Sequence, residues 1–110
     1  MPTVYIPQET VRRNANGDFE PVYDLSPALS YGSLEVLRSS MPVGIDEDLI
    51  GLLRGKMKEF GDDDYIVAIG DPAVIAAAIM VASRINNGRV KLLRWDRRTR
   101  QYLTTQLDAR

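Results

Sequence analysis

The chain has 110 residues, with 14 Lys and Arg against 15 Asp and Glu, 45% apolar residues, and neither His nor Cys. That length supports one domain able to bury a core without disulfides or a structural metal. Lacking the commonest general base, the commonest transition-metal ligand and every thiol nucleophile, the chain all but excludes a Ser-His-Asp triad and a zinc centre.

Charge is uneven along the chain. Residues 1–83 carry 6 basic and 13 acidic side chains, and residues 84–110 carry 8 basic and 2 acidic ones. Such a split either marks an anionic partner for the basic end or places that end beside the acidic remainder. The first eight residues have no basic region or long apolar core, and the longest apolar run, residues 73–82, is short of the roughly 20 needed for a bilayer. The expectation is a cytoplasmic protein without a membrane partner.

In chain order, residues 4–8 predict a short strand between two prolines, and Asn16-Gly17-Asp18 signals a turn in a polar stretch. Residues 21–25 suit an edge strand, and Ser26-Pro27 opens a helix of at most one turn before Gly32. Residues 33–38 predict a strand, followed by a loop over 39–44. Asp46, Glu47 and Asp48 then begin a helix whose apolar face is Leu49, Ile50, Leu53, Met57 and Phe60 and which Gly61 ends. Gly51 and Gly55 weaken this helix and suggest a close approach of another backbone.

Residues 65–69 form a continuous apolar run, as in a parallel strand covered on both faces. Gly70-Asp71-Pro72 leads into a helix over 73–85, Asn86-Asn87-Gly88 stops it, and residues 90–95 form the next strand. A hairpin loop over 96–101 then returns the chain into an antiparallel strand over 102–107. The fold class is α/β. A single domain over 1–110 is expected, with an irregular N-terminal arm over 1–32 carrying short strands. Its core over 33–107 is a small βαβαββ unit of parallel strands closed by an antiparallel C-terminal hairpin strand.

Four features invite a functional reading. Asp71 stands at a strand's carboxyl end, where open α/β sheets take ligands, yet Asp71 as N-cap and Pro72 as first helical residue explain the tripeptide fully. Asp62-Asp63-Asp64 offers oxygen ligands to a hard cation, or forms a solvated turn guarding the next strand. Neither supplies a catalytic or metal-binding assignment, and no cofactor is expected. The helix over 73–82 is apolar all round and needs cover, either from the N-terminal segment or from a second subunit through Ala73, Ala77, Ala78 and Val81. Finally, Arg94, Trp95, Arg97, Arg98, Arg100 and Tyr102 gather four arginines and two aromatics at a hairpin tip. They suit a single-stranded nucleic acid, or a cross-strand aromatic pair under a charged loop.

Certain phrases carry a resemblance. They are Asp24-Leu25-Ser26-Pro27-Ala28, Tyr31-Gly32, Phe60-Gly61-Asp62-Asp63-Asp64-Tyr65, Gly70-Asp71-Pro72 and residues 88–97. In that order, over roughly residues 4 to 103, they resemble a group of small uncharacterised proteins of tailed-bacteriophage genomes. The resemblance implies a phage protein made in an infected bacterium and carries no catalytic residue. The expected function is that of a non-enzymatic accessory protein which self-associates as a homo-oligomer and binds a host or viral protein. The alternative is a nucleic-acid-binding accessory protein using the basic hairpin, and a metal-dependent enzyme built on Asp71 and Asp62 to Asp64 is a third reading without support.

Overall fold

The computed structural model describes residues 2–9, 11–21, 24–38 and 48–110. Four parallel strands and one antiparallel strand make a sheet. They are β1 (Thr3–Ile6), β4 (Ser33–Val36), β5 (Tyr65–Val67), β6 (Arg89–Asp96) and β7 (Gln101–Asp108), in the order β4-β1-β5-β6-β7. A separate antiparallel pair, β2 (Val11–Arg13) and β3 (Phe19–Pro21), is joined through the expected turn at Asn16-Gly17-Asp18. There the Asn14 carboxamide oxygen accepts from the backbone N–H groups of Asn16 and Asp18. The helices are α1 (Leu49–Lys56) and α2 (Pro72–Ile85), and Ser26–Ser30 forms a short 3₁₀ turn.

Alternation along the strands sends successive side chains to opposite faces, and each face buries its own cluster. On one face Tyr5, Ile66, Val90 and Leu92 meet Leu49, Leu53 and Met57 on and just after α1 and Val74, Ala78, Val81 and Ala82 of α2. On the other, Val4, Ile6, Val67, Leu93 and Tyr102 are covered by Ala28 with Leu25 and Tyr31. Leu53 and Met57 are fully buried, and each such side chain contributes about 1.5–3 kcal/mol. The α/β class, the parallel strands and the antiparallel C-terminal pair agree with the sequence reading.

Several expectations need correction. β1 lies inside the sheet, paired in parallel with both β4 and β5, so residues 3–6 are core and not part of an arm. The segment over 24–31 does drape the sheet, but on the face away from α2, whose cover comes from α1 and the sheet. α1 ends at Lys56, four residues early, and Met57 and Phe60 continue its apolar face through a following turn. Gly51 faces the Asp48 carboxylate and Gly55 faces open space, so neither admits another backbone. Of the strand expected over 21–25, Pro21 ends β3, residues 24–25 are irregular, and residues 22–23 lie outside the described residues. Asp46, Glu47 and the loop over 39–44 lie outside the described residues.

The connection from β1 to β4 crosses one face, while those through α1 and α2 cross the other. The winding therefore reverses between β1 and β5, the position where doubly wound sheets open a crevice at the strands' carboxyl ends. Here that crevice is closed. Gln8 accepts through Oε1 from the Asp71 N–H at 2.9 Å. Gly70 has φ +111 and sits so close that a Cβ there would lie 2.7 Å from the Gln8 Cβ.

Candidate ligand groove at the carboxyl edge

With β1 and β5 sealed, the open space at this end of the sheet lies one strand over, between β5 and β6. A groove of about 420 Å³ is lined by Ala68, Ile69 and Gly70 on one side and Arg94, Trp95 and Arg97 on the other. Ala68 donates its N–H to the Leu93 carbonyl at 3.0 Å, which fixes the two walls relative to each other. β6 outruns β5 by several residues, so its last turn of side chains overhangs the groove.

The β6–β7 hairpin positions the cationic residues. Asp96 organises its tip, accepting from the Arg98 N–H at 3.1 Å, from the Thr99 hydroxyl at 2.9 Å and, through its carbonyl, from the Arg100 N–H at 2.8 Å. Arg100 takes a positive φ of 55, a conformation that costs a side-chain-bearing residue energy and closes the loop back into β7. Arg94 donates from Nε to the Thr105 hydroxyl at 2.9 Å, which holds its guanidinium along the sheet. The guanidinium groups of Arg97, Arg98 and Arg100 make no hydrogen bond or ion pair among the described residues.

Trp95 and Tyr102 form the cross-strand pair expected from the sequence, in edge-to-face contact. Their environments differ. Tyr102 is buried at 7% exposure, and that burial, reinforced by the Asp24 carboxylate, pushes its hydroxyl above the ordinary tyrosine range. Trp95 is 39% exposed, leaving part of its indole open to solvent. Of the six residues singled out from the sequence, Arg94, Trp95 and Arg97 therefore line the groove. Arg98 and Arg100 belong to the loop, and Tyr102 supports Trp95 from behind. Of the groove's other wall, only Gly70 was flagged, within Gly70-Asp71-Pro72 at a strand's carboxyl end, and Ala68 and Ile69 were missed because they carry no distinctive side chain.

The remaining candidates resolve into structural roles. Asp71 caps α2, accepting from the Ala73 N–H at 2.8 Å. Asp64 ties the start of β1 to the preceding turn by accepting from the N–H groups of Thr3 and Gly61. Asp62 accepts from the Asn86 amide at 2.9 Å and from Arg89 at 3.1 Å. The Asn86 bond, assisted by the nearby Arg89 and Lys91 charges, holds its carboxyl below the usual range. The three aspartates thus point to separate tasks, and no group able to hold a metal occurs among the described residues. Ala77, Ala78 and Val81 are buried between α2, α1 and the sheet, so in this fold they are not a surface. Ala73 is exposed. Among the described residues no helix is long and apolar enough to cross a membrane.

No curated protein and no solved structure matches the chain. A family model does match, over residues 2–109, nearly the whole length on which the sheet, its hairpin and the groove are built. The chain belongs to the Phage Pam3 gp32-like protein family.

Proposed function

We propose that this phage accessory protein works by binding, and that its groove takes a single-stranded nucleic acid. The observation that carries the reading is that Arg94, Trp95 and Arg97 line one wall of the groove, facing Ile69 and Gly70. Guanidinium groups grip phosphates in a fork, and an indole face stacks on any base. Arg98 and Arg100 on the adjoining loop extend the cationic track beyond the groove. Ala68, Ile69 and Gly70 supply an uncharged, apolar facing wall, suited to a flat ring pressed against Trp95.

The test is a titration with labelled single- and double-stranded oligonucleotides at about 50 mM and 200 mM salt, between which phosphate-driven affinity falls steeply. Binding that weakens with salt supports the reading. Arg97→Ala and Arg98→Ala should each weaken it across all sequences and reduce its logarithmic salt slope by about 0.7 for a single strand. Absence of binding at the lower salt overturns it. A host or viral protein is then the ligand class, and affinity capture with the intact hairpin is the means to find it.

A further inference from the structure

We infer that two copies of this chain join edge to edge through β7, making one sheet continuous across a two-fold axis at Thr105. β7 is an edge strand of eight residues, and edge strands left unprotected are templates for pairing. It has no proline, no lysine and no bulge in its register with β6, and its only charge is Asp108 at its end. Leu103 and Leu107, on the face shared with α2, are 44% and 40% exposed.

The hydrogen-bonding pattern identifies which groups are unspent. The Ala109 N–H donates to the Gly88 carbonyl, directly beyond the pair Arg89 and Asp108. Antiparallel ladders alternate, so the odd-numbered residues of β7 bond to β6 and the even-numbered ones turn their backbone groups outward. Tyr102 agrees, since its carbonyl accepts from the Tyr31 hydroxyl at 3.4 Å on that outer side. Tyr31 thereby closes off the hairpin end of the edge. Among the described residues the stretch left open begins at Leu103, and its outward donors and acceptors are those of Thr104 and Gln106.

A second copy fits this stretch better than an arbitrary strand because the segment is complementary to its own reverse. Pairing Thr105 with the same residue of the second copy sets Leu103 against Leu107 on both sides of the axis. It also sets Thr104 against Gln106, giving four backbone hydrogen bonds at the centre. The two leucine pairs and the threonine pair then occupy non-hydrogen-bonded positions, where side chains come closest.

The oligomeric state of the full chain, measured by sedimentation without any nucleic acid, gives the first test, and the mass of two chains is expected. The double substitution Leu103→Lys with Leu107→Lys, at positions already exposed, should return the mass of one chain with an unchanged circular dichroism spectrum. Thr105→Cys supplies an independent test, because the chain has no other cysteine. Oxidation should link it to its own copy. Leu103→Cys should link poorly to itself and well when mixed with Leu107→Cys. A monomeric native chain, a dimer that survives both lysines, or a dimer that Thr105→Cys fails to cross-link overturns the proposal. Arg97→Ala should leave the mass unchanged, which separates this surface from the groove.

Discussion

Trp95 and Tyr102 stand directly opposite each other across the β6–β7 hairpin, their ring centroids 5.0 Å apart and their planes inclined at 68°. The pair joins the core to the groove. Tyr102 belongs to the core beneath the 3₁₀ turn, while Trp95 lines the groove, so the groove wall is anchored directly to the packing. Trp95→Ala should cost about 0.5–1.5 kcal/mol from the lost aromatic pair, beyond its area term, as read by denaturant unfolding. Because Trp95 is the chain's one tryptophan, its emission should be quenched when an oligonucleotide fills the groove and unchanged if binding occurs elsewhere.

Asp71 links the start of α2 to the end of β5, and its side chain satisfies one of the helix's otherwise open N–H groups. Asp71→Ala should lower unfolding free energy by about 1 kcal/mol, whereas Asp71→Ser should recover most of that loss. Equal losses for both would show that the carboxylate acts through its charge and not as a cap.

Two glycines should respond in opposite directions. Gly70 combines a positive φ with close contact against Gln8, so Gly70→Ala should destabilise by about 1–3 kcal/mol and open the sealed crevice. Gly55 lies in α1 with nothing near the position of an added Cβ, so Gly55→Ala should stabilise by about 0.5 kcal/mol. Thermal melts of the two variants check both signs at once.

Asp62 gives a pH dependence of defined sign. Its carboxyl is held below 3.8 in the fold, chiefly by the Asn86 amide, so its contribution is complete above that ordinary value. The contribution is lost as pH falls through the depressed folded value. Below about pH 4 the native chain should therefore lose stability more steeply than Asp62→Asn, which keeps an acceptor for Asn86 but cannot titrate. Parallel melting curves for the two proteins through that range would remove Asp62 from the account.

Hairpin-loop strain provides a further check. Arg100 holds a left-handed conformation that glycine adopts without penalty, so Arg100→Gly should raise stability by up to about 1 kcal/mol. If the cationic loop contributes to binding, the same variant should bind an oligonucleotide more weakly while melting higher. A variant that gains stability with unchanged affinity would remove Arg100 from the binding surface.

Local pattern in the sequence determined the α/β class, the strands read over 65–69 and 90–95, the two helices and the capped entry to α2. Each rests on contacts between near neighbours: a continuous apolar run, a 3.6-residue stripe, an aspartate two residues before the N–H it satisfies. The apolar stripe Leu49, Leu53, Met57 and Phe60 was legible for the same reason, though the helix ends before the stripe does. The parallel β5–β6 pair and the β6–β7 hairpin were legible, but the place of β1 was not, because it sits between β4 and β5 through partners 30 and about 60 residues away. That placement decides that Gln8 seals the crevice at Gly70 and that the groove opens beside Trp95. The burial of Ala77, Ala78 and Val81 likewise follows from α1 and the sheet arriving against them. The open edge of β7 exists only once every other strand has found its place, since an edge is a property of the assembled sheet and not of any residue in it.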